Sequence, residues 1–73
     1  MKITANKFEA NDIIRIIREW TELTQEEFAS SINRTRGCIQ KYENGGRKFT
    51  FETFMLICKK HKIKVTIEKV GKF

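Results

Sequence analysis

Residues 23–45, LTQEEFASSINRTRGCIQKYENG, read as two short helices joined by a tight turn, and this reading decides the fold. Thr24 suits the start of the first helix, and Glu27 three residues on completes a Thr-x-x-Glu capping box. Leu23 before the cap and Phe28 at the fourth helical position are spaced for a hydrophobic staple. Phe28, Ala29 and Ile32 share one helical face. Asn33 tolerates the left-handed backbone that ends a helix. Thr35 then starts a second helix, with Ile39 and Tyr42 turned inward, and Asn44-Gly45-Gly46 stops it. Arg36, Gly37, Gln40 and Lys41 remain on the outer face.

Around that stretch, 73 residues allow one small domain with one core, which leaves modest stability unless the chain oligomerises. Two cysteines, Cys38 and Cys58, with no CxxC spacing and one histidine, make neither a disulfide framework nor a zinc site. Reduced thiols in a cytosolic protein are expected. No apolar run approaches membrane-spanning length, and no signal peptide is visible. The net charge of +6 is uneven: residues 1–33 carry four basic and six acidic side chains, residues 34–73 eleven and three. The excess begins at the second helix of the opening stretch, which fits a polyanionic partner; the plainer reading of such charge is solubility.

The run Leu23-Thr24-Gln25-Glu26-Glu27-Phe28-Ala29, with Ile32, Thr35, Ile39 and Glu43-Asn44-Gly45 at this spacing, closely resembles the helix-turn-helix of phage repressor and Cro proteins, the xenobiotic-response-element family. The resemblance runs from about residue 14 to about residue 58. It implies a mainly α, four-helix, lambda-repressor-like domain filling 1–73, with a core over about 10–61. A first helix is expected with Asn11, or a residue slightly earlier, as its cap. Ile14 and Ile17 match inward positions of the family. Ile13 and Ile16 fall where the family exposes polar residues, so a further layer, either the chain's own ends or a second subunit, is expected against this helix. By resemblance Arg18 pairs with Glu43 and locks the first helix to the third. Glu22 stands where the family often has glycine, which implies a slightly different turn; Asn33 replaces another glycine more mildly. Thr50 is expected to cap a fourth helix with Phe51, Phe54, Met55, Ile57 and Cys58 inward, an aromatic stripe read as core. His61, where the family often has leucine, reads as a partly buried filler.

The end departs from the family. Residues 63–70 alternate apolar and polar, with Ile63, Val65 and Ile67 β-branched, and read as a half-buried C-terminal β-strand. A lone strand is not stable in water. Its partner is expected to be residues 2–4, where strand character is weak, or the same strand of a second subunit.

The resemblance places the recognition helix in the major groove. Carried over by position, Arg36, Gly37, Cys38, Gln40 and Lys41 face DNA, with Arg36 the candidate base reader, since an arginine can donate two hydrogen bonds to guanine. Gly37 has two readings, close approach of backbone to DNA or a poorly optimised surface position. Cys38 touches a thymine methyl or only packs. Gln25 resembles the family glutamine that bonds a phosphate and braces the recognition helix. Thr35 belongs to the same DNA-facing set. Arg34 reaches a phosphate or snorkels over the turn. Asn44, Arg47 and Lys48 are read as backbone contacts, against the alternative of a solvated basic loop. No catalytic constellation, metal cluster or phosphate loop competes, so no enzyme activity and no cofactor are expected.

Two functions follow. The first is a sequence-specific regulator of transcription binding double-stranded DNA, as a cytoplasmic homodimer on a pseudo-palindrome. The second is a protein-interaction module, such as an antitoxin-like partner of a toxin, that adds its terminal strand to another sheet. RNA binding is disfavoured, because no aromatic lies on the outer face of the recognition helix.

Overall fold

The computed structural model describes residues 1–72, in which a 3-10 turn, Ala5–Lys7, leads into four helices: α1 (Ala10–Thr21), α2 (Gln25–Ser31), α3 (Arg36–Asn44) and α4 (Phe51–Lys60). Threonine hydroxyls set where three of them begin. Thr24, Thr35 and Thr50 are the N-caps of α2, α3 and α4, and each side chain accepts a hydrogen bond from a backbone N–H three residues on, in Glu27, Cys38 and Thr53. Such a cap contributes about 1 kcal/mol by satisfying one of the donors a helix start leaves open. At α2 the box is closed: the Glu27 carboxylate accepts from the Thr24 N–H at 2.9 Å. Those bonds to Thr24 hold the Glu27 pKa below its ordinary value.

α1 begins earlier than Asn11. Its N-cap is Glu9, whose side chain makes no capping bond, and Asn11 lies within the first turn. The Asn11 amide is used elsewhere, donating to the Glu43 carbonyl at 3.3 Å.

The core joins Ile14 and Ile17 of α1, Phe28, Ala29 and Ile32 of α2 and its end, Cys38, Ile39 and Tyr42 of α3, and Ile57 and Cys58 of α4. Phe28, Ile14, Ile17, Ile39 and Ile57 are fully enclosed, and burial of each such side chain contributes about 1.5–3 kcal/mol. Leu23 packs against this cluster, as a staple residue should. Phe51 departs from the inward stripe expected of α4. It is 63% exposed, at the first helical position, with its ring 6.2 Å from that of Phe54. The first turn of α4 overhangs the core, so Phe54 is partly buried and only Ile57 and Cys58 are fully so.

No β-strand forms among the described residues, which corrects the expected strand over 63–70. Ile63 packs on the core, its N–H donating to the Cys58 carbonyl at 2.8 Å. Beyond it Val65, Ile67 and Val70 are exposed, Ile67 at 87%. Alternation of side chains creates a strand only where a second backbone supplies the ladder, and residues 2–4 do not pair with 63–70. The two ends instead flank a groove of about 890 Å³ whose floor includes Ile13, Ile17, Trp20 and Phe54. The extra apolar residue Ile13 of α1 therefore lines a groove flanked by the chain's own ends, and Ile16 is half-buried.

Among the described residues three non-glycine residues hold positive φ: Glu22 at 60°, Asn33 at 56° and Lys62 at 58°. Asn33 and Lys62 end α2 and α4 in the same way. The following N–H, of Arg34 or Ile63, reaches back to the carbonyl of Ala29 or Cys58 at 2.8 Å, as in a Schellman motif. Glu22 is the residue at which α1 ends. It takes the left-handed conformation itself, at a cost of about 1–2 kcal/mol relative to ordinary helical backbone.

His61 closes the core from the end of α4. Its ring stacks on Phe28 with centroids 4.9 Å apart. The Ser31 hydroxyl donates to the Phe28 carbonyl at 2.6 Å, which leaves its oxygen to accept the ring N–H at 2.8 Å. Burial, with help from the Lys60 charge, lowers the His61 pKa from its ordinary 6.5. The fold thus prefers the neutral ring and binds fewer protons than the unfolded chain, so stability rises with pH through this window. The contribution is complete above about pH 6.5 and is lost as pH falls toward the depressed folded value. The melting temperature of the protein should therefore drop between pH 7 and pH 5, and that of His61→Leu should drop less. Parallel curves for the two proteins would show that this histidine does not carry the acid sensitivity.

Candidate nucleic-acid interface

The position of α3 is fixed through Glu43, in its last turn. Both carboxylate oxygens are taken by the Arg18 guanidinium of α1, at 2.6 Å from Nε and 2.9 Å from Nη2. The same guanidinium donates through Nη1 to the Leu23 carbonyl at 3.3 Å, between α1 and α2. Gln25 of α2 adds a longer bond, its amide donating to the Glu43 carboxylate at 3.4 Å. Asn11 holds the Glu43 carbonyl from the start of α1. Side chains from two helices thus converge on one residue of the third. The pair is largely sheltered, with 19% of the Arg18 side chain and 7% of the Glu43 side chain exposed. The bond to Glu43, outweighing the cost of burial, raises the Arg18 pKa from its already high ordinary value.

With α3 so held, its outer surface carries Arg36, Gly37, Gln40 and Lys41, all exposed. A Cβ on Gly37 would meet nothing within 4 Å, so nothing inside the chain calls for glycine there. Thr35 is exposed but its oxygen is engaged as the cap of α3. Cys38 is nearly buried, its sulfur 4.0 Å from Arg47 Nη1. Arg34 folds back over the turn, with Nη1 3.3 Å from the Ile32 carbonyl and 3.4 Å from that of Asn33. Gly45, at φ 81°, ends α3, and the Asn44 side chain closes over the following loop by accepting from the Gly46 N–H at 2.8 Å. A Cβ on Gly46 would come within 2.9 Å of that Asn44 oxygen, so any larger residue there would push the exposed Asn44 amide aside. Lys48 is exposed in the same loop.

Charge is partitioned. Among the described residues the salt bridges are Arg15 with Asp12 and Glu19, and Arg18 with Glu43. None involves Arg34, Arg36, Lys41, Arg47 or Lys48. The basic side chains of α3 and its flanks therefore project an uncompensated positive field, the electrostatic footprint of a polyanion reader. Among the described residues no group of histidine, cysteine and carboxylate side chains is placed to hold a metal ion, and no helix is long and apolar enough to cross a membrane.

The helix-turn-helix family model matches residues 14–67, most of the chain and all of α2 and α3. This is a Cro/C1-type helix-turn-helix protein. As a member of that family it is a DNA-binding regulator of transcription, and the family is not typically enzymatic. No curated protein and no solved structure matches the chain. Within a Cro/C1-type domain, the sequence reading did not assign Asn11 to Glu43, because an asparagine at a helix start signals a cap before it signals a contact 32 residues away. It also took Tyr42 for an inward core residue, which it is.

Removing one partner of a sheltered ion pair leaves the other charge without compensation, which typically costs about 3–5 kcal/mol. Arg18→Ala in this Cro/C1-type domain is expected to lose about 3 kcal/mol or more of unfolding free energy by urea titration, a large share for so short a chain. A loss under about 1 kcal/mol, the value of an exposed pair, would show that Glu43 is not the anchor of α3.

Proposed function

We propose that the chain is a sequence-specific regulator that inserts α3 into the major groove of double-stranded DNA and works as a dimer on a pseudo-palindromic operator. One observation carries this reading: α3, anchored at its far end through Glu43, presents Arg36, Gln40 and Lys41 exposed and without acidic partners beside an open surface at Gly37. Arg36, in the first turn, is the base reader, suited to the O6 and N7 acceptors of guanine. Lys41 reaches a base or phosphate further along. Gly37 lets the helix backbone approach the groove wall. Gln25, at the start of α2, meets a phosphate through its free amide groups while bonded to Glu43. Asn44, Lys48, Arg34 and Arg47 contact the backbone and add affinity without sequence preference.

Dimerisation is supported by the segment after α4, where Val65, Ile67 and Val70 are exposed and whose backbone enters no ladder in one chain. The same exposed segment supports the second reading, an interaction module that docks on another protein, such as an antitoxin on its toxin. The two readings separate on DNA. Selection from random duplexes should enrich a palindrome for the wild-type chain, and Arg36→Ala should lose discrimination at one base position in each half-site, by about 1–3 kcal/mol. Salt-sensitive binding with no enriched sequence would transfer the case to the interaction module, and an unchanged preference in Arg36→Ala would remove Arg36 as the reader.

A further inference from the structure

Among the described residues, no backbone N–H of 2–4 or of 64–70 meets a backbone carbonyl. These two segments flank the groove of about 890 Å³ floored by Ile13, Ile17, Trp20 and Phe54. Ile13, Trp20 and Phe54 are only partly buried, so the floor is apolar surface that the chain leaves uncovered. A backbone laid along the groove covers that floor and meets an unpaired edge on either side. The chain that supplies it can be read from the charges of residues 63–70.

In that segment Ile63, Val65 and Ile67 alternate with Lys64, Thr66 and Glu68. Two copies related by a two-fold axis pair their segments antiparallel, so that residue i meets j and j meets i. Directly opposite residues then share a face. With Thr66 on the axis, Lys64 of each copy stands opposite Glu68 of the partner subunit, and Val65 stands opposite Ile67 of the partner subunit. The outer face then closes with an ion pair at each end, and the inner face is apolar. The other registers lose one or the other. With Val65 on the axis, Glu68 falls opposite Lys62, which holds φ 58° where α4 ends and so lies outside strand geometry. With Ile67 on the axis, Val65 falls opposite Lys69 and Glu68 opposite Thr66. A slip of one residue mixes the faces, setting Val65 opposite Glu68 or Thr66. Centres further out set Lys64 on Lys64 or Glu68 on Glu68. We propose that the groove is filled by residues 63–68 of a second copy of this chain, paired antiparallel about Thr66 and held in register by Lys64–Glu68 ion pairs, each copy's segment lying in the other's groove. The inference rests on the reading of the chain as a dimer and goes beyond it in naming the surface, the register and the residues that set it.

Equivalent residues of two copies meet only on the axis, so single cysteines report the register. Thr66→Cys, Val65→Cys and Ile67→Cys are each oxidised mildly and run without reductant, with the wild type as the blank, since Cys38 and Cys58 are buried. Thr66→Cys should join two chains. Val65→Cys and Ile67→Cys should not, because their equivalents become diagonal neighbours about 7–8 Å apart, beyond the span of a disulfide. Sedimentation then measures dimerisation of charge variants. Lys64→Glu and Glu68→Lys should each weaken it roughly tenfold or more, by setting like charges opposite each other, and the combined variant should return to within roughly threefold of the wild type. Links at Val65→Cys or Ile67→Cys in place of Thr66→Cys, or a combined variant as weak as either single one, would overturn the register. A wild type that sediments as a dimer with no link at any of the three positions would overturn the proposal and leave dimeric DNA binding intact. A wild type that stays monomeric at every concentration, alone and on duplex DNA, would overturn the dimer reading as well.

Discussion

The carboxylate of Glu43 is the point on which the structure turns. A helix of nine residues has little stability of its own and takes its orientation from what grips it. Ile39 and Tyr42 seat α3 on the core, but apolar packing is non-directional and tolerates small rotations. The two-pronged Arg18 bond removes that freedom, because a guanidinium and a carboxylate meet well in one plane. Asn11 and Gln25 add contacts from the start of α1 and the start of α2. The anchor sits at the C-terminal end of α3, away from the exposed N-terminal turn that carries Arg36 and Gly37. The helix is held by one end and offered by the other.

The same arrangement explains the division of charge. Arg18, the basic residue of α1 that is sheltered, is neutralised by Glu43, while Arg15 shares acids on the surface of its own helix. From Arg34 onward the basic residues near α3 have no such partners, so their field is directed outward. A +6 chain could have spread its charge evenly for solubility. Five of its basic residues, Arg34, Arg36, Lys41, Arg47 and Lys48, instead fall on one helix and the two turns beside it, where they can serve a DNA-binding face.

How much of this is legible in the sequence depends on the range of each interaction. The α2–turn–α3 unit is readable because its determinants are local: threonine caps, a capping box, and apolar residues at helical spacing. The glycine replacement at Asn33 is readable for the same reason. Glu22 is less readable, since a residue disfavoured in the left-handed region holds φ 60° there and the chain bears its cost. The terminal segment misled for the opposite reason. Its alternation is a correct statement about side chains and an insufficient one about structure, since a strand exists only with a partner backbone. Phe51 was misplaced by one turn's worth of geometry, because a stripe at helical spacing does not reveal where the helix leaves the core. Of the site, outward exposure of Arg36, Gln40 and Lys41 follows from periodicity. The return of Arg47 to Cys38, and the grip of Asn11 on Glu43, depend on how a loop and a helix are packed.

The central claim is that the exposed N-terminal face of α3 reads DNA from the major groove. Methylation interference at guanine N7 on a duplex bound by the chain tests it most directly, since N7 lies in the major groove and is one of the two acceptors matched to Arg36. The account predicts that N7 methylation at particular guanines abolishes binding, with blocked positions on one face of the duplex. Binding indifferent to N7 methylation but lost when the minor groove is occupied would contradict it.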